Sequence, residues 1–349
     1  MTDIAARARC SVSTVSRALR GDARISAAAR DRVVQAAEAL GYHWDREASR
    51  LMANFRAKAT GRPVAQETIA LVHAKPRSYE REDTMGFWTA LTRAAAELGL
   101  RVDEVALNSR PEALGKSGRR VSQVLKARGI RGLVLFPFYE PDIRPWELDW
   151  DAFAMVAVGS SPDQPNIDRV DLSDYEDALM CLRQVTARGY RRIGLTSSEE
   201  SERHTSGIFV AAYYYFAEVH PAVEACPVLR LTGRNREGMT RADRESFENW
   251  FRKYKPQAIL TSHHIIRDWL ADMGVHAPND VGLVTLWPHK DWAGIEFESA
   301  RLMQPALVHL RAKLWSNKLG LSGTASRVLI RSPWREGSTL NPPANTAFY

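Results

Sequence analysis

Residues 11–26 read SVSTVSRALRGDARIS. Ser11, Ser13, Thr14, Ser16 and Arg17 fall within seven positions, and Arg20 and Arg24 follow on either side of Gly21. Ser11 is a good N-cap for a helix from Val12 to about Leu19. At helical spacing Val15, Ala18 and Leu19 share one side, while Ser13, Ser16, Arg17 and Arg20 share the other. Serine and threonine are poor fillers of a helix surface, because their hydroxyls compete for the backbone. They are good short-reach partners for phosphate oxygens and base edges, and they let a helix axis come close to a duplex. Upstream, Ile4, Ala5 and Ala8 form the small apolar face of a first helix, followed by a short turn at Arg9–Ser11. Downstream, Ser26 caps a third helix to about Leu40, with Val33, Val34, Ala37 and Leu40 as its stripe and Gly41 as its stop. The spacing predicts a small all-α helix-turn-helix domain over residues 1–43.

Charge points the same way. Residues 1–62 hold twelve Lys and Arg against six Asp and Glu, a net +6 out of +7 for all 349 residues. A basic head on a nearly neutral body suits a polyanionic partner. No apolar run is long enough to span a membrane, and the start MTDIAARARC has no signal-peptide core. The three cysteines, Cys10, Cys181 and Cys226, are scattered and lack CxxC spacing, as expected of free thiols in a reducing cytoplasm.

The head resembles the LacI/GalR repressors, whose pattern runs D-[IV]-A, A-G-V-S, T-V-S-R, then V-S and L-G-Y. Asp3, Ile4, Ala5, Ala8, Ser11, Thr14, Val15, Ser16, Arg17, Leu19, Ser26, Leu40, Gly41 and Tyr42 fall in register. The resemblance implies that Val12, Ser13 and Arg17 face bases and that Ser11, Thr14, Ser16 and Arg24 face or cap toward the DNA backbone. Arg20, in place of a common asparagine, adds a phosphate contact. Arg9 stands where the family has its turn glycine, and a left-handed residue other than glycine costs about 1 kcal/mol there. Residues 44–63 are similar to the family's hinge helix and linker, with Ala48 and Leu51 in register. The resemblance makes Leu51 an apolar wedge in the minor groove, a known way to kink a duplex.

From Thr68 the pattern alternates strand and helix: TIALVHA, FWTALTRAAAELGL, VDEVAL, a helix near 115–128, IRGLVLFPF and FAMVAVG. After a loop come a helix over 173–189, YRRIGLTSS, a helix over 203–219, PVLRL, a helix over 240–254, QAILTS, a helix over 265–273 and DVGLVTL. This is α/β with two parallel-sheet units. Neither carries GxGxxG or a phosphate loop. RGIRGLVL, RGYRRIGL and GVHAPNDVGLV resemble the periplasmic-binding-protein-like sensor of the same family. That implies a Rossmann-like, two-lobed effector-binding and dimerisation domain over 66–331. Lobe 1 would take about 66–162 plus 296–322, and lobe 2 about 163–290 plus 326–331. Three crossovers are expected near 160–165, 287–296 and 322–327, with a helix over 299–319 returning to lobe 1. Residues 332–349 are a C-terminal strap or tail.

Ligands of such folds sit between lobes at the carboxyl ends of strands. The effector candidates there are His73, Lys75, Ser197, Ser198, Arg203, His263 and Trp287, with His204 an alternative to Arg203. Where the family's sugar binders carry an Asn-Asp pair and a later aspartate, this chain has His263-His264 and Trp287. Trp287 is either a stacking platform or a core or hinge residue. The adjacent histidines lack a carboxylate at ligand spacing, so no metal is expected. YYYF at 213–216 reads as helix packing, and SSEESE at 197–202 as a solvated loop.

With no nucleophile elbow, phosphate loop or paired carboxylates at a cleft, an enzyme is not expected, nor is a cofactor. The expectation is a homodimeric, cytoplasmic, nucleoid-associated transcription regulator, a repressor. It binds pseudo-palindromic double-stranded operator DNA, and its affinity answers to a small-molecule effector, with carbohydrates among the candidates. A stand-alone solute-binding protein is the alternative that the body alone would suit.

Overall fold

The computed structural model describes residues 1–19, 24–40, 67–73, 82–106, 118–136, 148–159, 166–233, 238–287, 289–321 and 323–342. Arg20, Ala48, Leu51 and Lys75, and with them the expected hinge helix, lie outside the described residues. Residues 1–65 and 66–349 form two compact units.

The amino-terminal unit holds α1 (Thr2–Ala8), α2 (Val12–Leu19) and α3 (Ala27–Ala39). Its core is small: Ile4, Ala5, Ala8, Val15, Ala18, Val33, Ala36 and Ala37. Arg9 adopts the left-handed conformation (φ 50°, ψ 53°), and the Arg9 and Cys10 N–H groups donate to the Ala6 and Ala5 carbonyls. The turn thus closes as a glycine would close it, with an arginine bearing the strain. The stripe expected on α3 needs correction, since Val34 and Leu40 are exposed and Ala36 is buried in their stead. Val33, Ala36 and Ala37 lie one turn apart on one side, and Leu40 follows the last helical residue.

In the second unit the first sheet is wholly parallel, in the order β2 (Leu100–Ala106), β1 (Glu67–His73), β3 (Gly132–Leu135), β4 (Ala154–Val158), β5 (Arg169–Leu172) and β12 (Arg327–Ile330). Both faces are covered, so the central strands are continuous apolar runs rather than alternating ones. On one face pack α4 (Glu82–Glu97) and α11 (Ser299–Trp315), through Leu91, Ala95, Met303, Leu307 and Leu310. On the other lies α5 (Gly118–Ala127), through Val121 and Leu125.

The second sheet runs β7 (Glu224–Ala225), β6 (Arg192–Ser198), β9 (Ala258–Thr261), β10 (Gly282–Thr285), β11 (Ala293–Ile295) and β13 (Trp334–Arg335), with β8 (Leu229–Leu231) also on β6. Only β13 is antiparallel among these pairings. One face carries α6 (Asp174–Ala187) and α8 (Ile208–Val219), the other α9 (Arg241–Tyr254) and α10 (Ile266–Asp272). The helix expected over 203–219 is in fact two. A short α7 (Glu199–Thr205) ends at Ser206 and Gly207, both left-handed (φ 56° and 69°), before α8 begins. SSEESE accordingly runs from strand end into helix and is not a loop.

The lobe limits also move. β5 and β12 pair with each other inside the first sheet, not the second. The chain therefore crosses between Leu172 and Asp174, between Ile295 and Ser299, and between Ile330 and Trp334. The crossings are tied together: Ser173 N–H donates to the Ile330 carbonyl (2.8 Å) and Glu296 N–H to the Pro333 carbonyl (2.9 Å). All three leave from the carboxyl end of a strand, so both sheets turn those ends toward the space between lobes. The residues after the third crossing do strap the second lobe. Thr339 is buried; its hydroxyl donates to Leu283 O (2.7 Å) and accepts from Ala293 N (3.0 Å). A side chain at Gly337 would sit 2.2 Å from Trp292 C and Ala293 N, so only glycine lets the strap lie this close.

Candidate functional sites

The head presents α2 with its small-residue face outward. Val15 and Ala18 anchor it, which leaves Ser11, Val12, Ser13 and Arg17 exposed and Thr14 and Ser16 half-buried. Val12, 45% exposed, lies clear of the core. Ser11 Oγ caps the helix by accepting from Thr14 N (3.1 Å) and bonds the Ser13 and Thr14 hydroxyls (2.8 and 2.9 Å). Ser11 Oγ is thereby fully used, and the Ser13 and Thr14 hydroxyls keep capacity to donate or accept outward, which suits phosphate oxygens and base edges alike. Arg24 is exposed just before α3.

In the second unit the sequence candidates divide. His73, at the end of β1, turns to the edge strand, with Nε2 2.7 Å from Glu104 Oε1. Arg203 is exposed on α7, and His204 is the buried neighbour, its Nδ1 bonded to the Glu200 carbonyl (2.7 Å). Ser198 caps α7 by accepting from Ser201 N (3.2 Å), and Ser197 is buried beside it.

His263, His264 and Trp287 come together at the mouth of β9 and β10. Sequence reasoning missed the threonines that organise them. Thr196 Oγ1 donates to Thr261 Oγ1 (2.6 Å) and lies 3.3 Å from His263 Nδ1, and Thr261 Oγ1 accepts from His263 N (2.9 Å). Thr285 Oγ1 bonds the Trp287 carbonyl and accepts from its N–H (3.1 Å). His264 Nε2 meets Thr285 Oγ1 (2.9 Å) and the Trp287 carbonyl (3.2 Å). A signal was there: LTSS, ILTS and LVTL each place a threonine where a strand runs out. Burial lowers both imidazoles to about 4, helped at His263 by His264 and at His264 by His289. Both are neutral at pH 7. His264 also packs against His289 and Trp292 (ring centroids 4.5 and 5.1 Å). With its backbone held by Thr285, Trp287 keeps its indole 39% exposed.

The first crossing carries a second group that the sequence reading passed over. Asp171 pairs with Arg327 (2.5 Å), and Asp177 accepts from Ser332 N (2.9 Å) and Oγ (2.6 Å). Between them Asp174 is pushed up to about 7 by burial and by the charges of Asp171 and Asp177. Among the described residues no group of histidine, cysteine and carboxylate side chains has the geometry of a metal site. Nor is any described helix long and apolar enough to cross a membrane.

The chain thus carries a helix-turn-helix head and a body of two parallel-sheet lobes. Residues 1–45 match the family model described as bacterial regulatory proteins, lacI family. An HTH-type transcriptional regulator of Mycolicibacterium smegmatis is 26% identical over 197 residues, an alignment that covers 56% of this chain and half of that relative. The transcriptional regulator CelR in complex with cellobiose superposes with a TM-score of 0.61 at 16% identity, covering 97% of this chain and 98% of that one. The Lac repressor dimer bound to operator and the anti-inducer ONPF gives 0.54 at 15% identity, covering 97% of each chain. The two-lobed fold of LacI-type regulators therefore extends along the body of this chain.

Proposed function

We propose that the protein is a homodimeric, sequence-specific transcription regulator, a repressor, whose hold on operator DNA answers to a small molecule bound between the lobes. The observation that carries this reading is the exposed Ser11–Ser13–Thr14 hydroxyl chain with Arg17 on α2, inside a segment that matches the lacI family model. Two such helices in a dimer enter successive major grooves of a pseudo-palindromic site. Val12, Ser13 and Arg17 read bases; Ser11, Thr14, Ser16, Arg20 and Arg24 hold phosphates; Ala48 and Leu51 belong to a hinge that wedges the minor groove. The operator-bound Lac repressor dimer supports the DNA partner and the dimer.

The effector acts by binding one arrangement of the lobes better than another. It shifts the population of DNA-competent dimers, with coupling of about 1–3 kcal/mol typical. The reading assigns no turnover and no cofactor, and it goes with a cytoplasmic, nucleoid-associated protein. A carbohydrate is one candidate, since CelR holds cellobiose and the fold is shared.

Selection of bound sites from random DNA by the full-length protein tests the reading. Enrichment of a pseudo-palindrome is expected, and equal grip on selected and scrambled duplexes at physiological salt overturns it. On the selected site, Arg17→Ala should cost about 1–3 kcal/mol and relax preference at one base step. An equal loss on every sequence would make Arg17 a phosphate contact.

A further inference from the structure

The mouth of the second lobe departs from what the family resemblance implies for a sugar site. Its Asn-Asp pair and later aspartate would offer acceptors to a ring of hydroxyls, and here those positions are His263, His264 and Trp287. The structure shows how the replacements are used. Thr196, Thr261 and Thr285 spend their hydroxyls on one another, on His263 and on the backbone of Trp287. The His263 ring is buried against Thr196, and the His264 ring is taken up by Thr285, His289 and Trp292. The threonine hydroxyls at the ends of β9 and β10 are thus bonded internally, His263 Nε2 is buried without a hydrogen bond among the described residues, and the large group left facing outward is Trp287.

The first lobe supplies an independent observation. Phe136 directly follows the carboxyl end of β3, and Phe297 lies in the second crossing. Phe87 of α4 joins them, edge-on to Phe136 (centroids 5.1 Å) and tilted against Phe297 (5.2 Å). Phe87 and Phe297 are only partly buried. On the first-lobe side, partly buried Phe87 and Phe297 therefore lie over the buried Phe136 beside the second crossing.

We propose that Trp287 determines effector class: the ligand presents an uncharged aromatic ring to the second lobe, stacked on Trp287, in place of the forked hydroxyl contacts of a free sugar. This rests on the interlobe site proposed above. An aromatic ring gains from the offset or edge-on geometry that indole and phenyl groups prefer, and it leaves no hydroxyl stranded against already-bonded threonines.

The test uses the full chain labelled with 5-fluorotryptophan, the Trp287 fluorine signal being assigned from Trp287→Phe. Phenyl β-D-glucoside and methyl β-D-glucoside, the same sugar with and without an aromatic ring, are titrated in the millimolar range. The phenyl probe should move the Trp287 signal and the methyl probe should not. Trp287→Ala should weaken the phenyl probe about tenfold, and Trp287→Phe should restore most of the loss. Equal response to both probes, response to neither, or unchanged affinity in Trp287→Ala overturns the proposal. Site selection on random DNA, run without any probe, keeps the outcomes apart. Failure there sinks the regulator reading, whereas success there with a silent Trp287 sinks only the ligand class.

Discussion

In the first lobe, Asp168, just before β5, takes Lys313 Nζ at 2.5 Å, Ser326 N–H at 2.7 Å and Ser326 Oγ at 2.8 Å, with His309 Nε2 at 3.3 Å. In the second lobe, the corresponding work of joining neighbouring elements is done by threonine hydroxyls and uncharged imidazoles. Burial alone would raise the Asp168 pKa, but the hydrogen bonds from Lys313, Ser326 and His309 outweigh it and hold the carboxyl well below the usual range. Burial instead drives His263 and His264 to the neutral form, outweighing the charge of Asp243 at His263. These two clusters thus meet the cost of buried polar groups in different ways, one by pairing full charges and the other with neutral rings and hydroxyls. The charged solution is brittle to loss of a partner. The neutral one is brittle to acid.

The sharpest way to break the comparison is Lys313→Met, which leaves the Asp168 carboxylate buried without its cation. A loss of about 3–5 kcal/mol is expected, read as faster hydrogen exchange of β5 and α11 amides while β9 and β10 are unchanged. Adding Asp168→Asn should recover much of it, because no uncompensated charge remains. Next comes pH. An imidazole held to about 4 against an ordinary 6.5 takes up protons more readily when unfolded, so the two histidines contribute stability that is lost as pH falls from 6.5 toward 4. Asp174, raised to about 7, has the opposite sign, favouring the folded state as pH falls through 7. A difference measurement separates them. His263→Gln with His264→Gln should gain on the parent, by on the order of 3 kcal/mol, between pH 6.5 and 4, measured as second-lobe exchange at each pH. A gap that does not vary with pH would mean the imidazoles are not buried neutral. The smallest effect is Thr196→Val, which removes the donor to Thr261; about 1 kcal/mol is expected, confined to β6 and β9.

Local features were legible in the sequence and distant ones were not. The α2 face could be read because Ser11, Ser13, Thr14, Ser16 and Arg17 lie within two turns and Val15 and Ala18 fix which side is buried. The central strands could be read because a sheet covered on both faces demands unbroken apolar runs. β5 and β12 were placed in the wrong lobe because each is only four residues long, and their pairing joins residues more than 150 apart. The break at Ser206–Gly207 escaped because helical spacing runs on across it, and only the backbone angles show that the axis turns. Of the interlobe site, strand ends could be located, but the threonine net could not. Thr196 meets Thr261 across 65 residues, and nothing in either neighbourhood announces the other.

The strap has a consequence for how the molecule is made. The three head helices end at Ala39, and among the described residues their core draws on nothing beyond it. The first sheet waits for β12, and the second waits for Thr339 and Leu340 to seat against β10 and β11. At translation speeds of about 5–20 residues per second, a nascent chain spends on the order of 15–60 s with its head folded and both lobes unfinished. For that interval the growing polypeptide carries the head, with the surface proposed above to read a duplex, ahead of both finished lobes.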